Sequence, residues 1–318
     1  MKKRYLAWMM TAVLAAGMLA GCSSQSAETT AAEKTAAAEA ADATEAAGDT
    51  AEAVVDAAEE ANEAENAAGE AAKAEEAEEA SEGETEEILI AAAASLKNAF
   101  EEELIPMFQE QYPNIVVKGT YDSSGKLQTQ IEEGLEADVF MSAATTQMNA
   151  LDEEGLIASE TITDLLENKI VLIVPEGNEA GLSAFEDIAN AESIALGDPA
   201  SVPAGQYAEE ALTNLGLWDG IQDKVSFGTN VTEVLNQVAA ASADAGIVYA
   251  TDAASMEDQV DVVAEAPEGS LERKVIYPVA VVKNTAHAEA AQNLVDFLKT
   301  EEAMAVFGAY GFAAGGEG

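Results

Sequence analysis

The chain has 318 residues, with 14 Lys and Arg against 60 Asp and Glu and a formal net charge of −46. That balance makes nucleic acid and anionic membrane surfaces poor partners, and it removes any general electrostatic attraction for small anions. One Cys and one His leave no intramolecular disulfide, no His-rich metal site and no conventional catalytic triad.

Lys2, Lys3 and Arg4 precede a mostly apolar run, 6–19, that is too short and wrongly flanked for a membrane span. The run ends in Leu19-Ala20-Gly21-Cys22, which resembles the bacterial lipobox. The resemblance implies a signal peptide over 1–21 and lipidation of Cys22, placing the protein on the extracytoplasmic face of the cell membrane. A diacyl anchor supplies the two chains that stable attachment needs. Residues 23–86 carry 20 acidic and 2 basic side chains and no aromatic, so they cannot bury enough apolar surface to form a core. Like charges keep such a segment extended, and 22–86 reads as a spacer between anchor and domain. An acidic interaction tail or a weak divalent-cation sponge is the rival reading.

The globular part begins near Glu86. Residues 87–92 read as a buried strand, and Leu96, Phe100, Leu104, Met107 and Phe108 have the spacing of one helix over 96–112. A strand at 115–117, a helix at 126–133, a strand at 138–142 and a helix at 148–154, stopped by Gly155, follow. The run 170–174 opens a second group, closed by the turn 175–178. Further strands are expected at 193–196, 244–249, 261–264 and 275–282. Alternation of this kind predicts an α/β fold with mostly parallel sheets flanked by helices. His287, in Asn284-Thr285-Ala286-His287-Ala288, reads as an exposed helix-start residue.

Four segments each run from a strand end into a helix start: AAAASL (91–96), YDSSGKL (121–127), GDPASVPAGQY (197–207) and FGTNVTEV (227–234). Helix starts carry unpaired N–H groups and partial positive charge, and ligands of parallel α/β sheets sit at strand carboxyl ends. Alone, each opening reads better as an ordinary capped turn. Together they predict a neutral cage for a small oxyanion.

At GDPASVPAGQYAEEAL (197–212) and GIVYATDA (246–253) the chain resembles the molybdate-binding proteins of ABC transporters. The likeness extends from AAAASLKNAF (91–100) through ADVFMSA (137–143) and YPVAVVK (277–283) to YGF (310–312). It implies a two-lobed solute-binding protein that closes on its ligand. Lobe one would be 87–168 with 276–318, lobe two 169–275, with crossings near Lys169 and Tyr277-Pro278. It implies no cofactor and no enzyme activity, a membrane permease as partner, and a monomer. Matched motif by motif, the ligand-binding residues are Ser95, Ser124, Ala204, Val231 and Tyr249.

The chemistry of those residues agrees. Ser95 and Ser124 each offer an N–H and an O–H. Pro203 has no N–H and leaves those of Ala204 and Gly205 open. Val231 has only its N–H to give, and Tyr249 adds a phenol. Donors without acceptors suit a fully deprotonated dianion, molybdate or tungstate, whereas a protonated phosphate would want an acceptor. Asp122 is expected to turn outward or cap the helix near Ser124, and Lys126 to lie solvated on that helix. The residues leave sulfate or a small organic anion open as ligands, and an enzyme or a lipid-anchored scaffold as other classes. Against a larger carboxylate ligand, the only Arg after the signal is Arg273. Against an enzyme, there is no nucleotide loop, G-x-S-x-G or H-E-x-x-H motif.

Overall fold

The computed structural model describes residues 85–177 and 181–316. The signal, Cys22 and nearly all of the acidic stretch lie outside the described residues. The strands are β1 (Glu86–Ala93), β2 (Ile115–Asp122), β3 (Val139–Met141), β4 (Thr163–Asn168), β5 (Ile170–Pro175), β6 (Ile194–Gly197), β7 (Val225–Gly228), β8 (Ala245–Tyr249), β9 (Val260–Glu265), β10 (Val275–Val281) and β11 (Ala313–Ala314). They form two sheets, ordered β11-β4-β10-β3-β1-β2 and β7-β6-β8-β5-β9. The fold is the expected two-lobed α/β architecture. In each sheet a parallel trio, β2-β1-β3 or β7-β6-β8, carries the helix-start openings. Antiparallel strands complete both sheets.

The chain crosses between the sheets twice. It passes from β4 through Lys169 into β5, and from β9 through 266–274 into β10. Lys169 holds the first crossing in place: its carbonyl accepts from Ala250 N–H at 2.9 Å and its N–H donates to Asn168 Oδ1 at 2.8 Å. Tyr277-Pro278 lies in β10, the strand that the second crossing enters, where the pairing with β4 shifts register.

Alternation along β1 divides the core of lobe one. Ile88, Ile90 and Ala92 join the main apolar cluster with Leu96, Phe100, Leu104 and Phe108. Ala91 faces the other side, against Leu127 and Ile131 of the helix Ser124–Glu132 and Met148 and Leu151 of the helix Thr145–Glu153. Each large buried side chain contributes about 1.5–3 kcal/mol. Lobe two is built likewise: the helix Val231–Ala239 buries Val231, Val234, Leu235 and Val238 against its sheet.

The long first helix is not uniform. A 3-10 turn, Ala94–Leu96, leads into a widened π turn, Phe100–Leu104, before the α-helix Ile105–Gln111. Pro106 explains the widening, since it has no N–H for the carbonyl four residues back and its ring crowds that carbonyl. An edge-to-face aromatic series links Phe100, Phe307, Phe312, Tyr277 and Tyr249, with ring centroids 5.3 to 6.0 Å apart. It runs from the middle of lobe one to the last residue of β8 in lobe two, and each pair adds about 0.5–1.5 kcal/mol beyond area burial. His287 stands at the N-cap of the helix Ala288–Leu298, with Nδ1 2.8 Å from Glu86 Oε1.

Candidate functional site: a cage of open N–H groups

Every strand of the two parallel trios ends at the same cleft, so their carboxyl ends meet. Ser95, Ser124, Ala204, Val231 and Tyr249 all line one small cavity there. Ser124, Ala204, Val231 and Tyr249 are buried and Ser95 is half-buried. No Lys or Arg lines the cavity. Helix starts, whose first N–H groups have no partner within the helix, supply its donors.

Three of these starts show how the donors are kept open. In the helix Pro203–Asn214, the Ser201 and Val202 N–H groups are engaged by the Asp198 carbonyl at 3.0 and 2.8 Å, and Pro203 has none. Ala204 and Gly205 carry the first open donors. In the helix Val231–Ala239, Asn230 Oδ1 accepts from Glu233 N–H at 2.9 Å, while Glu233 Oε2 accepts from Thr229 N–H at 2.7 Å. This reciprocal cap leaves Val231 N–H open. In the helix Ser124–Glu132, Gly125 N–H reaches across the cleft to Ser201 O at 2.9 Å, leaving Ser124 N–H.

The hydroxyls are oriented by their partners. Ser124 Oγ accepts from Ala143 N–H at 3.0 Å, so its own proton is free to be given away. Asn168 Oδ1 accepts from Lys169 N–H, which turns Nδ2 toward Thr251 Oγ1 at 2.9 Å and Tyr277 Oη at 3.3 Å. Tyr277 Oη accepts from Asn168 and shares a hydrogen bond with Ser95 Oγ, 2.9 Å away, in which either hydroxyl can donate, so the pair fixes where the Ser95 hydroxyl sits at the cavity. Tyr249 Oη lies 3.4 Å from Ala143 O, too long for a good O–H···O bond, and also faces the Tyr277 hydroxyl, so its proton has no single strong partner. Burial holds both phenols well above the ordinary tyrosine range, and they remain neutral donors.

Asp122 reaches the rim of the cavity and is held there. Its Oδ1 accepts from Ser123 N–H at 2.8 Å, Lys126 Nζ at 3.2 Å and Asn230 Nδ2 at 3.3 Å. It therefore pairs with Lys126, which is half-exposed rather than freely solvated, and bridges the lobes through Asn230. Gln147 Nε2 to Gln206 Oε1, at 3.2 Å, is another bridge between the lobes.

Sequence reasoning missed the directing role of Asn168 and Tyr277. Tyr277 was visible in the expected strand 275–282, but Asn168 lies in β4, which sequence pattern did not mark, and nothing local says that Tyr277 lies against Ser95.

Two lobes joined by two crossings, enclosing a small cavity lined by uncommitted donors, define a solute-binding protein. The chain belongs to the family of bacterial extracellular solute-binding proteins, which matches it over residues 88–313. It is 41% identical to YvgL of Bacillus subtilis, named as an ABC transporter substrate-binding lipoprotein, over 71% of this chain and 86% of that one. It is 39% identical to the molybdate-binding protein ModA of Haemophilus influenzae, over 72% and 90%. A solved substrate-binding domain assigned to a molybdenum ABC transporter of Clostridium difficile superposes with a TM-score of 0.56 at 38% identity, covering 71% of this chain and 98% of that domain. The family binds solutes and is not a family of enzymes.

Proposed function

We propose that this chain is the extracytoplasmic substrate-binding component of a molybdate ABC importer, anchored by a lipidated Cys22 and held off the membrane by residues 22–86. Lobe one spans 87–168 and 276–318, and lobe two 169–275. The protein acts as a monomer without a cofactor and delivers its anion to a membrane permease. The observation that carries this reading is the convergence of Ser95, Ser124, Ala204, Val231 and Tyr249 on one cavity that offers donors and no cation. The naming of relatives at 36–39% identity as molybdate-binding proteins supports the choice of ion.

Such a cage distinguishes ligands by protonation first. A dianion with four acceptor oxygens satisfies every open donor, and charge-assisted hydrogen bonds of about 1.5–3 kcal/mol each dominate the binding. The one carboxylate at the rim, Asp122, accepts from three donors through Oδ1 and is drawn toward Lys126 Nζ, 3.5 Å from Oδ2, and away from the ion. Closure follows because Ser95 and Ser124 approach the ion from one lobe and Ala204, Val231 and Tyr249 from the other, so the ion binds the closed form better.

The test is a calorimetric titration of the mature protein with molybdate, tungstate, sulfate and phosphate, followed in parallel by Trp218 fluorescence. Trp218 is the only Trp left once 1–21 is removed. One-to-one heat with molybdate and tungstate, and none with sulfate, is the expected result. Heat with sulfate alone would change the substrate and keep the class, and no heat with any of the four would sink the oxyanion cage. Tyr249→Phe is expected to weaken molybdate binding by roughly 0.5–1.5 kcal/mol, and an unchanged affinity removes Tyr249 from the site. Tyr277→Phe, outside the cavity, is expected to weaken it by a similar roughly 0.5–1.5 kcal/mol because Ser95 loses the hydroxyl partner that positions it. A Tyr277→Phe protein that binds like wild type would show that Ser95 needs no such partner.

A further inference from the structure

We propose that Ser123 is a further ligand-binding residue, its hydroxyl a third serine donor to the captured oxyanion; this rests on the oxyanion reading above. Ser123 is 3% exposed and lines the same cavity as Ser95 and Ser124. Its backbone is fully used: the N–H donates to Asp122 Oδ1 at 2.8 Å and the carbonyl accepts from Leu127 N–H at 3.1 Å. Its Oγ has no hydrogen-bond partner in the protein.

Position makes that orphan informative. Ser123 is the N-cap of the helix Ser124–Glu132, with φ −62° and ψ 142°, where a serine hydroxyl ordinarily accepts from the second or third helical N–H. No such bond is made here. Gly125 N–H, one of the two candidates, is committed across the cleft to Ser201 O. Capping would turn the hydroxyl back onto its own helix. Withholding the cap leaves a buried donor beside Ser124. A buried polar group without a partner is costly, and the anion is the partner that removes the cost. Asp122 Oδ1 holds the Ser123 N–H and so helps to fix where this hydroxyl sits.

The orphan also predicts a trade between stability and affinity that a purely structural serine would not show. Removing an unpartnered buried hydroxyl should stabilise the empty protein, while removing a ligand contact should weaken binding. The experiment compares wild type, Ser123→Ala and Ser124→Ala as mature chains, by calorimetry with sodium molybdate and by thermal melting with and without it. Ser123→Ala is expected to melt at or above the wild-type temperature when empty and to bind molybdate about tenfold more weakly, with a smaller ligand-induced rise in Tm. If Ser123→Ala binds within twofold of wild type while Ser124→Ala is weakened, Ser123 is no ligand contact and the oxyanion reading stands. If wild type gives no molybdate heat, both fall together. A Ser123→Ala protein that melts well below wild type when empty also overturns the proposal, because the hydroxyl would then be serving the fold.

Discussion

Gly205→Ala is expected to lower molybdate affinity by roughly 100-fold or more. A Cβ built on Gly205 lies 2.1 Å from the Gly197 carbonyl oxygen and 2.5 Å from its carbon. Those are backbone atoms at the end of β6, between β7 and β8, and cannot swing aside as a side chain would. The start of the helix Pro203–Asn214 must then lift away from the sheet, carrying the Ala204 and Gly205 N–H groups with it. Two charge-assisted donors at about 1.5–3 kcal/mol each account for the loss, since about 2.7 kcal/mol is already 100-fold. Overpacking costs about 1–3 kcal/mol of folding stability, against about 1 kcal/mol returned because Ala favours helix over Gly. The mutant should thus fold, melt slightly lower and bind poorly. Calorimetry beside a urea titration separates the two effects, and wild-type affinity would mean that this helix start is not a ligand donor.

Asp252 should make the protein lose stability as pH rises from about 4 to 7. The carboxyl lies in the helix Ala250–Ala254, is 6% exposed, and has no partner for Oδ2. Burial pushes it up to about 7, although backbone N–H groups at Tyr249 and Asp252 pull the other way. In that window the folded protein keeps a proton that the unfolded chain has shed, so raising pH favours unfolding. The full shift corresponds to about 4 kcal/mol at 1.36 kcal/mol per unit, an upper bound because the structure can relax around the charge. Asp252→Asn stays neutral and should remove this dependence. The difference in unfolding free energy, mutant minus wild type, is expected to grow between pH 4.5 and 8 in urea titrations. A difference that stays constant with pH would show that Asp252 is paired or hydrated. The charge matters to the site because Asp252 pushes up the Tyr277 and Tyr249 phenols.

The elements that the sequence declares are those whose own residues suffice. Ile170-Val171-Leu172-Ile173-Val174 is strand by composition and burial alone, and Gly155, at φ 73°, ends its helix by conformation. β4 was not legible, because Thr163-Asp164-Leu165-Leu166-Glu167-Asn168 has neither a β-branched run nor clean alternation. It is a strand because β10 and β11 pair with it from both sides. The openings were legible because a helix start advertises its donors through small residues, a cap and a proline. The direction of each hydroxyl was not, because it is set by contacts such as Ser95 with Tyr277, 182 positions apart in the chain. Ser123 fell between these cases: the residue was visible, but only the fold shows that the cap is withheld.

The position of β10 has a consequence for how the molecule comes into being. β10 pairs with β3 on one side and β4 on the other, so those earlier strands share no ladder until it arrives. All five strands of the other sheet, 170–265, are laid down before it. The second sheet can therefore mature as an uninterrupted stretch, while the first waits with an open edge for a strand that comes last but one. Such a pairing is slow to find, since a long intervening segment must be traversed or already folded before the ends meet. A chain built this way stays incomplete through most of its synthesis, and its two halves finish in the reverse of the order in which they begin.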